Sequence, residues 1–144
     1  MNFNSVADDL MELIETGLEN SSVLLPYQKG NSIRIGSYAI RKNAKGYQVY
    51  DCAKNARVGV TNFKISAIAL AKSLAEGKSQ VDRIMHVDSE LLKHYNDALY
   101  YRNRIRRTDD LSVVESRLHR LDISIAKSKA LKQDLDKFIF WSHK

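Results

Sequence analysis

The chain has 144 residues, 44% hydrophobic and 28% charged, with one proline and six glycines, a composition that fits modest folded units and excludes a long disordered or low-complexity protein. Its net charge is +6 and its single cysteine, Cys52, excludes an internal disulfide. No apolar run approaches the roughly 18 residues that a membrane span needs, and Met1-Asn2-Phe3-Asn4 lacks the basic and apolar stretches of a secretory leader. The expected location is therefore the cytoplasm or a particle assembled in it, with no membrane partner.

The charge is unevenly spread. Residues 1–28 hold Asp8, Asp9, Glu12, Glu15 and Glu19 and no Lys or Arg. Residues 29–78 hold ten cations against Asp51 and Glu76, and residues 79–144 hold thirteen against ten acids. A basic middle stretch attracts nucleic acid or another acidic surface, unless the acidic first stretch folds back and neutralises it.

These three stretches also differ in pattern. In 1–28, Ser5 with Asp8 resembles a capping box, and Val6, Leu10, Leu13, Ile14 and Leu18 recur on one helical face. The spacing predicts an acidic amphipathic helix that ends near Asn20 and is followed by a linker containing Pro26.

In 29–78, Ile33 and Ile35 alternate with polar residues, and Gly36 shifts the phase to Tyr38 and Ile40, which predicts a bulge or a turn there. Asn43-Ala44-Lys45-Gly46 is turn chemistry, followed by the strand Tyr47-Gln48-Val49-Tyr50-Asp51 and then, after Ala53-Lys54-Asn55-Ala56, by Arg57-Val58-Gly59-Val60-Thr61. Asn62 is placed to cap an alanine-rich helix that Gly77 stops. The stretch reads as a small antiparallel β-meander packed on one helix.

In 79–144, positions 81, 84, 88, 91, 95, 98, 102 and 105 are apolar except for Asp88 and Arg102. Positions 111, 114, 118, 121, 125, 128, 132, 135 and 139 are apolar except for Ser128 and Lys132. This alternating three-four spacing, interrupted by Thr108-Asp109-Asp110, predicts a long antiparallel helical hairpin with a coiled-coil-like seam. The fold class is thus α+β. Polar seam residues often set register or oligomeric state, so self-association is expected.

Motifs for catalysis are missing. His86, His94, His119 and His143 show no metal-ligand spacing with one another or with Cys52, and no phosphate loop or nucleophile elbow occurs. The reading is a non-enzymatic protein with no cofactor, no metal and no small-molecule substrate.

Two sets of residues are candidates for binding. Phe138, Ile139, Phe140 and Trp141 put four large apolar residues in a row at the end of the last helix, more than one partner helix can cover, which points to protein neighbours. The second set is the basic meander, with Arg34, Arg41, Lys42, Gln48, Tyr50 and Arg57 as the nucleic-acid candidates. If Ile40, Val58 and Val60 face the helix, alternation puts Arg41, Arg57 and Thr61 on the open face. A smaller group, Tyr95, Tyr100 and Tyr101 with Arg102, Arg104, Arg106 and Arg107, lies near the hairpin tip.

Residues 38–77, with the strands Tyr47–Asp51 and Arg57–Thr61, Phe63 and the alanine-rich helix, resemble the Apetala-type and integrase arm-binding three-stranded DNA-binding domains. That resemblance implies DNA contact through the sheet. The chain departs from it in lacking tryptophans on the sheet and an integrase-like catalytic region. As a whole, the short helix, meander and hairpin resemble small structural and accessory proteins of tailed phages, which implies a capsid, neck or tail component. Assembly through protein neighbours is the leading functional expectation, with nucleic-acid binding through the sheet as the alternative.

Overall fold

The computed structural model describes residues 6–12, 14, 27–29, 32–78, 80–107 and 110–140. A helical segment α1 (residues 6–12) precedes five strands, β1 (Tyr27–Lys29), β2 (Ser32–Ile35), β3 (Tyr38–Asn43), β4 (Gly46–Asp51) and β5 (Ala56–Thr61). Three helices follow, α2 (Lys64–Ala75), α3 (Val81–Ile105) and α4 (Leu111–Phe140). The architecture is α+β, an antiparallel meander in the order β1-β2-β3-β4-β5 on one helix, followed by a long helical hairpin.

Each connection in the meander has a local cause. Gly36 takes a left-handed φ of +58° in the two-residue turn that joins β2 to β3, so the phase change is a turn and not a bulge. Asn43 Oδ1 accepts the Lys45 N–H at 2.9 Å, closing the β3–β4 turn. Asp51 Oδ1 accepts the N–H groups of Ala53 and Lys54, shaping the β4–β5 connection. The bulge falls elsewhere. Val49 pairs with Gly59 but Tyr50 with Arg57, which leaves Val58 as the extra residue of β5.

Ile33, Ile40, Val49 and Gly59 align across four strands on the face toward α2. A Cβ built on Gly59 would stand only 2.7 Å from Leu70 Cδ2, so helix and sheet approach closely at this glycine. The α2 residues Ile65, Ala67, Ile68, Ala69, Leu70 and Ala71 are all fully buried. Their small side chains let α2 lie between the sheet and the hairpin, with contacts to both. Asn62 is not the cap of α2. Phe63 holds the N-cap position without a side-chain hydrogen bond, and Asn62 binds Asp88 instead.

In the hairpin, α3 and α4 pack along their length, about 38 and 45 Å at 1.5 Å per residue. Ile84, Leu91, Ala98, Ile105, Val114, Leu121, Ile125, Leu135 and Ile139 are all buried. Leu111 is the exception in the seam pattern, at 54% exposed. Asp110 caps α4, its Oδ1 accepting from the N–H and hydroxyl of Ser112. The same contacts hold its carboxyl below the usual carboxylate range, the Ser112 hydroxyl first and the Val113 N–H next.

Along α1, Ala7, Met11 and Ile14 are buried in the common core, while Val6 and Leu10 are only partly covered. The buried face is therefore rotated by about one position from the expected stripe. Leu13 and Leu18 lie outside the described residues. Asp8 pairs with Arg106 at the tip of the hairpin. The described part of the acidic stretch thus neutralises the hairpin, not the sheet.

Candidate nucleic-acid interface

The strand register sorts the basic residues by face. Arg34 pairs with Ala39, Ala39 with Tyr50, and Tyr50 with Arg57, so these four form one row across β2 to β5 on the face away from α2. Arg41, Gln48 and Val60 form the next row on the same face. At about 4.8 Å per strand, Arg34 and Arg57 stand roughly 14 Å apart, with Arg41 one row beyond.

Side-chain contacts order this face. The Arg41 guanidinium lies 6.0 Å from the Tyr50 ring centroid. The Tyr50 hydroxyl donates to Gln48 Oε1 at 2.6 Å, and Arg34 Nε donates to the Gly36 carbonyl at 3.2 Å. Ala39 and Gln48 are each 6% exposed, although Ala39 is not in the hydrophobic core cluster. Arg34, Arg41 and Arg57 remain exposed. Among the described residues no carboxylate forms an ion pair with any of the three.

Five of the six candidate residues therefore meet on one surface. Lys42 does not. It pairs with Tyr47 on the helix side of the sheet, and its ammonium stands 5.5 Å from the Tyr47 ring centroid. The expected alternation also shifts in β5. Val60 lies on the open face, while Thr61, at 1% exposed, faces inward and donates its hydroxyl to the Phe63 carbonyl. Arg57 is on the open side because the extra residue Val58 changes the phase between Gly59 and Arg57.

Of the second candidate set, the two described side chains are drawn into the fold. Ile139 is 1% exposed, and Phe138 is partly buried against the core with the Arg83 guanidinium 5.6 Å from its ring centroid. The Phe140 side chain and Trp141 lie outside the described residues. Near the hairpin tip, Arg117 and Arg120 of α4 join Tyr100, Tyr101 and Arg104 of α3. The sequence pattern missed these two arginines because only packing of α3 on α4 brings them to that side.

Among the described residues no group of three or more His, Cys, Asp or Glu is arranged to hold a metal ion, and no helix is long and apolar enough to cross a membrane. Cys52 is an exposed thiol. No family model matches the chain, and no curated protein or solved structure matches it significantly.

Proposed function

We propose that this chain is a non-enzymatic binding protein whose open sheet face takes the phosphates of a nucleic acid. The observation that supports the reading is the row Arg34–Ala39–Tyr50–Arg57 with Arg41 beside it, three exposed guanidinium groups on a rigid sheet. Guanidinium groups suit phosphate geometry, and a sheet face can present them to a duplex backbone.

Three phosphate contacts imply a salt slope of about −2.7, so affinity for duplex DNA falls about 40-fold between 50 and 200 mM salt. Fluorescence anisotropy with a labelled duplex measures this. Arg41→Ala or Arg57→Ala should each lower the slope by about 0.9. A slope near zero, or binding unchanged in both variants, sinks the reading.

A second reading, a structural protein of a particle such as a phage virion that holds protein neighbours, is favoured by one observation. Tyr100, Leu111 and Ile123, at 52%, 54% and 40% exposed, are large hydrophobic residues left open on the outer half of the hairpin. This reading expects self-association or incorporation into a larger particle. Phe140→Ala with Trp141→Ala tests whether the chain end contributes.

A further inference from the structure

The outer half of the hairpin carries a groove with its own charge and shape. The base of the hairpin is covered by α2, whose entry sits at Phe63 against Tyr95, with ring centroids 5.8 Å apart. From the level of Tyr95 outward, two adjoining clefts run along one side of the α3–α4 seam and share Tyr101 and Arg120. They extend from Lys93 to Arg104 along α3, about 16 Å or three helical turns.

The cations of this groove are held in place by neutral groups. Arg117 Nη1 donates to the Arg104 carbonyl at 2.7 Å, and Arg120 Nη1 to the Tyr101 hydroxyl at 3.4 Å. The Arg104 guanidinium lies 5.2 Å from the Tyr100 ring centroid, and that of Arg120 lies 5.9 Å from the Tyr101 centroid. Among the described residues no carboxylate pairs with Arg104, Arg117 or Arg120. Asp97 is the one described acid lining the clefts.

This surface favours a protein occupant over a nucleic acid. The tyrosine faces on which a base would stack already carry guanidinium groups, and Tyr100 and Tyr101 pack edge to face with centroids 5.3 Å apart. The exposed aliphatic side chain of Ile123, which lines the groove, suits a protein partner better than a sugar–phosphate chain. Arginine and tyrosine together are what protein interfaces concentrate at their centres.

The same chain displays a complementary surface. The outer side of α1 exposes Asp9 and Glu12, in a stretch of 28 residues without a Lys or Arg. Its inner side, Ala7 and Met11, is buried, and Asp8 is tied to Arg106 at the hairpin tip. Acidic helix and basic groove are thus both on the outer half of the hairpin.

We propose that the groove is the docking site for a second copy of this chain, and that the exposed acids of α1 face Arg104, Arg117 and Arg120 of the neighbour. Two copies that exchange this contact reciprocally form a closed two-fold dimer. The proposal rests on the assembly reading and is independent of the sheet.

The test is size-exclusion chromatography with light scattering at 100 mM salt on three proteins. These are the wild type, Arg117→Glu with Arg120→Glu, and Asp9→Lys with Glu12→Lys, each checked by thermal melting for an intact fold. The wild type should be a dimer and each variant alone a monomer, because each pairs like charges. An equimolar mixture of the two variants should restore the dimer, since both contacts are then complementary again. A wild type that associates while both variants associate equally well overturns the groove proposal and leaves the assembly reading standing. A monomeric wild type at 100 μM overturns the groove proposal and leaves the assembly reading to incorporation into a larger particle. Loss of duplex DNA binding in the arginine variant, with no change in mass, assigns the groove to nucleic acid and also overturns the proposal.

Discussion

Asp88 is the joint between the sheet unit and the hairpin, and its removal gives the most demanding test of the packing argument. It is 1% exposed, and its carboxylate accepts the Asn62 backbone N–H at 3.0 and 3.2 Å and the Asn62 side-chain amide at 2.8 Å. Asn62 lies directly between β5 and α2, so the contact fixes where the sheet-to-helix corner sits on α3. Hydrogen bonds to a charged group contribute about 1.5–3 kcal/mol each, and two donors share one carboxylate here. Asp88→Ala leaves both donors without it in a part-buried site where water replaces some of what is lost, so the expected loss is below the sum of the two bonds, about 2–4 kcal/mol, or roughly 4–16 °C in Tm. Asp88→Asn keeps an acceptor oxygen but not the charge, and should lose about half as much. Asp82→Ala, an exposed acid in the first turn of the same helix, is the control, with a loss under about 1 kcal/mol. Urea unfolding followed by circular dichroism measures all three. If Asp88→Ala costs no more than Asp82→Ala, the joint does not bear on stability and the argument fails.

Gly59→Ala places a methyl group 2.7 Å from the fully buried Leu70 and should cost about 1–3 kcal/mol in urea unfolding, part of it regained when Leu70→Ala makes room. The depressed Asp110 pKa stabilises the fold above the ordinary value of 3.8 and is lost as pH falls below 3.8 through the folded-state pKa, so in acid titrations of helicity wild type and Asp110→Asn should converge there. Replacing Arg34, Arg41 and Arg57 together by Gln should abolish duplex binding at 200 mM salt in anisotropy, yet leave stability within about 0.5 kcal/mol per site, since these groups stand on the surface.

The hairpin was the most legible part of the chain. A seam has a fixed period, and the inward positions of α3 and α4 follow it from Ile84 to Ile139. Leu111 departs because it sits in the first turn of α4, where the seam has run out of partner helix. The three strands read from Ile33 onward are present, but β1 was not foreseen, since Tyr27–Lys29 is too short to show alternation. Gly36 split the first of them because a left-handed φ ends a strand where a phase change alone leaves turn and bulge open. The Asn62 cap failed for a different reason. A short amide next to a helix start can bind that helix or a buried carboxylate, and only the fold brings Asp88 within reach. On the basic face, Lys42 was misplaced although alternation from Ile40 already turns it inward, and in β5 the bulge exchanged the expected sides of Val60 and Thr61 while leaving Arg57 outward.

Arg57 shows how fold and candidate site are decided by the same few residues. Gly59 must face α2, because Leu70 leaves no space for a side chain there. Strict alternation from that fixed point would put Val58 on the open face and turn Arg57 toward α2, where a guanidinium would compete with the apolar contacts of Val49 and Leu70. The bulge resolves the conflict. One extra residue lets Arg57 stand opposite Tyr50, in line with Arg34, at the cost of leaving Val58 39% exposed and outside the ladder. A regular strand with a polar residue at 58 and an apolar one at 57 would serve the core equally well. The chain instead carries a glycine and a bulge in adjacent positions, and thereby adds a cation to the face that already holds Arg34 and Arg41, so the proposed binding surface depends on this bulge, and replacing Arg57 tests it directly.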